Sequence, residues 1–479
     1  MSSSSSNFAY VPLTLFDNVT QLGSIANTWI VEGLVDVEKI RQTLDRLISK
    51  WPLLAGRVES AGTNRWQVRV PLGDLPQGYE AYGLTSTKST LPLSHYTKIP
   101  IPPITEYLPE HLWFPPERKK ATGMGLRDYA SKDITLTHWH VTHFAGLDEG
   151  KDYSCIGVHW THGVFDGIGF SLVLRAFEAE LAGKPWDVPP LPTPGPNKNL
   201  LQTLIDREIE RANAAGRKIE EERPLSYSSI GVGGLISYLG RQAAQKVYPG
   251  ANDWNLIVPF TVHDQLTADI RREVEAAGLT DARPTSGDVI FAWLLQSVYI
   301  DEGNPTQTVG LNNLASFRGE WNGELALYPH NAYATVSYPI LTVGEISSLP
   351  LHKLAYKLAQ SRVHGSRKDE AVVFYKISED AGKKAIIGAV KPEDDRTNET
   401  ATMSNMSMAR IAYLDWSAAG GGKTLTHYKI FVDALHVLDV YNNNGRLENG
   451  DLMLSCFVTA PKGRKVQEGF AKLLEKYKR

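Results

Sequence analysis

Apolar positions along this chain recur at two spacings, and the spacing changes often. Behind Asp36, a side chain suited to capping a helix, Val37, Ile40, Leu44, Leu47 and Ile48 fall at helical intervals until Pro52 closes the pattern. One face of that helix is core. Residues 27–34 before it read as a strand, and residues 57–58 and 66–70 after it look extended, so strand and helix alternate early. Residues 134–144 and 154–159 read as two further strands, and Phe170, Leu174, Phe177 and Leu181 form a helical stripe that stops at Gly183. Alternation of this kind favours an α/β layered fold.

Prolines punctuate the rest. Residues 92–116 predict a long surface connection with little secondary structure of its own, and residues 184–198 hold six prolines, the clearest linker in the chain. A charged helix over residues 200–222 follows. We therefore divide the chain into an N-terminal domain, residues 1–190, a linker or crossover, 191–225, and a C-terminal domain, 226–479. The second half predicts strands over 254–258, 428–433 and 452–458, helices over 287–299 and around 351–361, and a terminal helix carrying Val466, Phe470, Leu473 and Tyr477 on one side.

Composition narrows the class. With 479 residues, 42% hydrophobic and 22% charged, the chain exceeds one ordinary single-core domain and is globular in character. Lys and Arg number 50 against 53 Asp and Glu, a net charge of −3, which offers a phosphate backbone or an anionic membrane no global attraction. Nucleic acid and membrane are not expected partners. Cys155 and Cys456 are too few for a disulfide framework, and the Ser-rich start has neither a basic nor an apolar signal region, so a cytoplasmic protein is expected, and a monomer. The most apolar run, residues 230–239, is too short to span a bilayer.

The chemistry concentrates at His162-Gly163-Val164-Phe165-Asp166-Gly167, an H-x-x-x-D-G pattern where a strand gives way to a helix. A histidine there can accept a proton near neutral pH, an Asp four residues on can fix a turn through a cation, and the glycine permits close packing. The dull account of the same residues is a satisfied core histidine and a capping aspartate. His138, His140, His143, His159 and His162 lie close in sequence and invite a zinc reading, but no Cys, Asp or Glu completes a ligand spacing, so no metal is expected. Gly420-Gly421-Gly422-Lys423-Thr424 imitates a phosphate loop but leads into a strand where a helix is required. No G-x-S-x-G occurs, which argues against a serine hydrolase.

Several stretches together resemble the BAHD acyltransferases and, more loosely, the chloramphenicol acetyltransferase and condensation-domain superfamily. Residues 28–57 look like the family's opening strand, helix and P-x-L-A-G-R turn, and His162 to Gly167 match its signature position by position. Thr285 to Trp293 resembles a helix of its second domain, and Ser316-Phe317-Arg318 with Tyr328-Pro329-His330-Asn331-Ala332 resembles its D-x-R and Y-F-G-N-A region. The family's D-F-G-W-G loop is reduced here to Leu414-Asp415-Trp416-Ser417, which points to a divergent, fungal-type member.

The resemblance implies two α/β domains of mixed sheets and flanking helices around a central channel. It implies an enzyme that moves an acyl group, acetyl foremost, from acyl-CoA to a hydroxyl or amine of a small secondary metabolite. On that reading His162 is the general base, Asp166 pairs with Arg318 across the domains, and Gly167, Arg318 and Asp415 support the site. Met403-Ser404-Asn405 stands where relatives have a Ser-Trp pair, which makes Ser404 or Asn405 the candidate oxyanion contact. Acyl-CoA is a co-substrate, with no tightly bound cofactor. The alternative is a cyclase or isomerase on the same fold that uses no CoA.

Overall fold

The computed structural model describes residues 7–115, 125–218, 228–229, 232–300, 303–364, 367–383, 390–391, 399–432 and 437–477. The elements that frame the site are, in chain order, β1 (Ser24–Glu32), α1 (Val37–Lys50), β2 (Gly83–Lys88), β3 (Ile104–Thr105), β4 (Thr137–Asp148), β5 (Lys151–Thr161), α2 (Gly167–Leu181), α3 (Leu200–Ala214), β6 (Ala251–Val258), α4 (Phe260–Ala276), α5 (Ser286–Tyr299), β7 (Thr308–Ser316), β8 (Tyr333–Ser337), β9 (Glu399–Asn405), β10 (Thr424–Phe431), β11 (Val440–Arg446), β12 (Leu452–Thr459) and α6 (Ala460–Lys476).

Two mixed sheets carry the fold. One runs in the order β10-β1-β5-β4-β2, the other β8-β7-β9-β11-β12-β6-β3. Neither is completed within one half of the chain: β10, from the C-terminal half, closes the first sheet antiparallel to β1, and β3, from the N-terminal half, extends the second beside β6. Between β3 and β4 the chain crosses back. The proline-rich stretch is thus not the bare surface connection its composition suggested. It contributes β3, and Leu93, Leu108, Leu112, Trp113 and Phe114 bury against Cys155 and Tyr428. Prolines removed the helical and strand periodicities but not the apolar side chains between them.

Central strands are covered on both faces, which explains their unbroken apolar runs. On one face of the first sheet, α1 and α2 pack against Ile25, Trp29, Val31, Trp139, Val158 and Trp160. Ring stacking fixes α2 there: Trp160 on Phe170 at 4.5 Å and Trp139 on Phe177 at 4.7 Å between centroids. Helix α1 starts at Asp36, whose Oδ1 accepts from the Glu38 and Lys39 amides at 2.9 and 3.3 Å. Helix α5 starts at a capping box, Thr285 with Asp288, and is buried nearly all round against the second sheet.

The elements read from the sequence are found with shifted ends, and β2, β7, β8, β9, β11 and α4 were not among them. The charged helix ends at Ala214, and residues 219–222 of its expected span lie outside the described residues, as do Asp433 and Pro116. The strand expected to begin at residue 428 begins at Thr424. Among the described residues, no helix is long and apolar enough to cross a membrane.

Candidate active site

His162 sits immediately beyond β5, where the strand passes into α2. Its backbone is held from both sides: the amide donates to the Gly23 carbonyl at 2.8 Å, and its own carbonyl accepts from Thr20 Oγ1 at 2.9 Å and Asn331 Nδ2 at 2.8 Å. The ring is oriented as well. Nδ1 lies 3.0 Å from the Phe165 carbonyl and, facing an acceptor, carries the proton, which leaves the lone pair on Nε2. Removal from water and the nearby Lys429 ammonium hold the imidazole pKa down to about 4, against smaller opposing contributions from the carbonyl contacts and Asp166. At neutral pH the ring is neutral, the form that can accept a proton.

Asp166 faces the other way. It caps α2, with Oδ1 accepting from the Gly169 amide at 2.6 Å, while Oδ2 accepts from Arg318 Nη1 at 2.8 Å and from the Ala332 amide at 2.9 Å. Both members of the pair are buried. Arg318 also donates from Nε to the Tyr328 carbonyl at 2.9 Å and from Nη2 to the His330 carbonyl. The guanidinium therefore ties residues 328–332 to the start of α2. Gly167 and Gly169 permit the approach: a Cβ on Gly167 would collide with the Met406 thioether, and one on Gly169 with the Pro329 carbonyl.

The remaining candidates have partners of their own. Asp415 accepts from the Ser417 amide at 3.0 Å, its amide donates to Glu178 Oε1 at 2.7 Å near the end of α2, and its carboxyl is held below the usual range chiefly by Ser417. It shapes a loop, residues 406–419, whose Met406, Ile411, Leu414 and Trp416 complete the first core. Ser404 and Asn405 end β9 opposite Asn442 and Asn443 of β11. Asn405 spends its Oδ1 on the Ser407 amide at 3.1 Å, whereas buried Ser404 stands in register with Asn442.

Three groups that the sequence reading did not single out, Asp17, Tyr333 and Lys429, lie around the site. Asp17, fully buried, accepts from the Thr14 amide at 2.6 Å and from the amide and Nδ2 of Asn331 at 3.0 and 2.8 Å, and burial pushes its carboxyl up. Tyr333 stands 6.1 Å, centroid to centroid, from His162. Lys429 of β10 is 4% exposed and donates to Asn442 Oδ1 at 3.2 Å. A lysine between Tyr428 and Ile430, inside the expected strand, was the available signal.

The other histidines have ordinary partners. His140 Nδ1 meets Thr85 Oγ1 at 2.7 Å, His143 Nε2 meets the Val35 carbonyl at 2.8 Å, and the His159 ring packs 4.8 Å from Phe114. Among the described residues no three His, Cys, Asp or Glu side chains form a metal-binding group. In the C-terminal half, a cavity of about 280 Å³ is lined by His263, Asp264, Thr267, Ala268, Arg271, Ser286 and Arg446, and the Asp264 carboxylate pairs with Arg446.

No family model matches the chain. Its sequence is 21% identical over 381 residues to the O-acetyltransferase PaAT-2 of Phomopsis amygdali, covering 73% of each chain. It is 23% identical over 412 residues to the O-acyltransferase pboC of Aspergillus ustus, covering 81% and 80%. In fold it resembles F. graminearum TRI101, solved with ethyl coenzyme A, at a TM-score of 0.65 and 13% identity over 97% and 98% of the two chains. The chain is a divergent acyltransferase of the chloramphenicol acetyltransferase and condensation-domain fold. The breadth of that fold is plain from the EpoB cyclization-docking bidomain of Sorangium cellulosum, which the acyltransferase resembles at a TM-score of 0.53 and 13% identity over 98% and 84% of the chains. In the acyltransferase, then, the turn after β5 is the place where a neutral, oriented imidazole meets both halves of the chain.

Proposed function

We propose that the protein transfers an acyl group, acetyl foremost, from acyl-CoA to a hydroxyl or amine of a small secondary metabolite, with His162 as general base. The observation that carries this is the single free ring nitrogen of His162: Nδ1 is committed to the Phe165 carbonyl, so only Nε2 can take a proton. A thioester is already activated, while an alcohol is a poor nucleophile until its proton leaves as it attacks. The acceptor oxygen bonds to the thioester carbon, its proton passes to Nε2, and the carbonyl electrons move onto oxygen. Collapse re-forms the carbonyl, breaks the C–S bond and returns the proton to the departing thiolate. Cys155 takes no part, since it is buried in β5 and desolvation pushes its thiol well above the usual range.

Asp166 positions the catalytic turn without touching substrate. We place the coenzyme's phosphates at the cavity lined by Arg271 and Arg446, where an incoming phosphate would compete with Asp264 for Arg446, and the buried Nε2 of His263, without a partner among the described residues, adds a donor or acceptor there.

Two measurements test the reading. Acetyl-CoA should raise the melting temperature by mass action, and thiol release from acetyl-CoA should be catalysed. His162→Ala should fold, still be stabilised by acetyl-CoA, and release thiol at least about 100-fold more slowly. Stabilisation by neither CoA nor acetyl-CoA would favour the CoA-independent cyclase or isomerase, and a folded, fully active His162→Ala would move the base elsewhere.

A further inference from the structure

Lys429 is a buried cation that no carboxylate contacts among the described residues. Its strand, β10, ends the first sheet, the lysine reaches Asn442 of the second, and its Cα is in register with Asn27 of β1. Positions 427, 429 and 431 share the face of β10 that carries Phe431 onto the α1–α2 core, so the lysine points toward the layer that holds α2. Among the described residues no carboxylate lies within 4 Å of Nζ. Among the described residues its ammonium donates one hydrogen bond, to Asn442 Oδ1 at 3.2 Å, and has one ring contact, Phe431 at 5.2 Å. An ammonium has three donors, and burying it with one neutral acceptor is costly unless something charged arrives.

What faces it says what arrives. His162 and Asp166 of the β5–α2 turn and His427 of its own strand lie within electrostatic reach of the ammonium, and Asn442 of β11, its hydrogen-bond acceptor, stands in register with Ser404. Asp166 is fully engaged by Arg318, Gly169 and Ala332 and has no room for a further partner of that strength. His427 is held neutral by burial and by Lys429 itself, its pKa down to about 3, and spends Nε2 on Asn27 Oδ1 at 3.2 Å. Asp166 attracts the Lys429 ammonium without contact, and among the described residues no carboxylate meets it directly. The negative charge that the reaction creates does so.

Resting on the acyl-transfer reading above, we infer that Lys429 is a second catalytic residue: its ammonium, aimed by Asn442, binds the oxyanion that forms when the acceptor attacks the thioester carbonyl beside His162. Preorganised positive charge in a site removed from water is the strongest form of oxyanion stabilisation. It also explains the pairing with a neutral base. The cation keeps His162 unprotonated before attack, and once the proton has moved to Nε2 the new imidazolium is offset by the new oxyanion between them.

The probe is acetyl-CoA alone, with water as acceptor and thiol release as the readout, because water attack forms the same oxyanion. Burial holds the Lys429 pKa down to about 8, so the rate should fall as pH rises through that value. Lys429→Met should lose about 100- to 1,000-fold in kcat, with the KM for acetyl-CoA changed by less than about threefold, and should melt at a higher temperature because a stranded charge is gone. Lys429→Arg, which keeps the charge, should retain more activity than Lys429→Met and should lose the fall near pH 8. A Lys429→Met protein with kcat within about threefold of the parent, or one that melts lower while Lys429→Arg is equally inactive and keeps the fall near pH 8, overturns the inference. If thiol release requires His162 but not Lys429, only this inference fails; if the parent releases none and acetyl-CoA does not bind, the acyl-transfer reading fails.

Discussion

Asp166 shows how little of the proposed catalytic motif need touch the chemistry. Its carboxylate accepts three hydrogen bonds, one each from Gly169, Arg318 and Ala332, and all three come from groups that must stay fixed for His162 to be aimed. Removing one member of a buried ion pair strands the other. Asp166→Ala should therefore cost about 3–5 kcal/mol, read as a lower denaturation midpoint, with activity falling because the turn loosens. An Asp166→Ala protein of unaltered stability would contradict the pairing described here. At this scale the sequence was half legible. His162, Asp166 and Gly167 declare themselves by spacing within one turn, but Lys429, Asn442 and Asp17 are brought to them only by the tertiary fold. No local pattern ties a residue in one sheet to a residue in another.

Elements were legible where their ends carried chemistry. Asp36, Thr285 and Asp166 each cap the helix that follows, and the stripes behind them predict α1, α5 and α2 within a few residues. The strands β7, β9 and β11 escaped detection because polar side chains sit at their buried positions: Asn312 and Asn313, Ser404, and Asn442 to Asn444. Their alternation is real, but it is not an alternation of hydrophobicity. Helix α2 also shows how tightly an element can be specified from outside itself. A methyl group on Gly169 would enter the Pro329 carbonyl, which belongs to the segment anchored by Arg318 and cannot yield cheaply. Gly169→Ala should thus cost about 1–3 kcal/mol by overpacking, with a matching drop in melting temperature and a lower rate of thiol release from acetyl-CoA. Retention of both the parent melting point and the parent rate would mean that this contact relaxes freely.

In the whole molecule, the two sheets exchange strands, β10 into the first and β3 into the second. The site lies where they do so, since His162 follows a strand of the first sheet and Lys429 belongs to the strand that closes it. A fragment of residues 1–218 should accordingly be insoluble when expressed alone, because β1 would present an unpaired edge between buried faces. Co-expression with residues 219–479 should recover soluble, thiol-releasing protein. A soluble, monomeric fragment with native-like unfolding would show that the first sheet is stable without its last strand.

The same exchange sets a timetable for biosynthesis. His427 of β10 bonds Asn27 of β1, a contact spanning 400 residues of chain. At roughly 5–20 residues per second, the ribosome leaves that edge waiting on the order of 20–80 s before the strand that seals it has been made. Through that interval β1, with its apolar faces and its free backbone donors and acceptors, is a ready template for pairing with a neighbouring nascent chain. Yield in a cell should then be governed by how densely ribosomes are loaded on the message and by chaperone supply, so that slower initiation at lower temperature gives more native enzyme per chain completed.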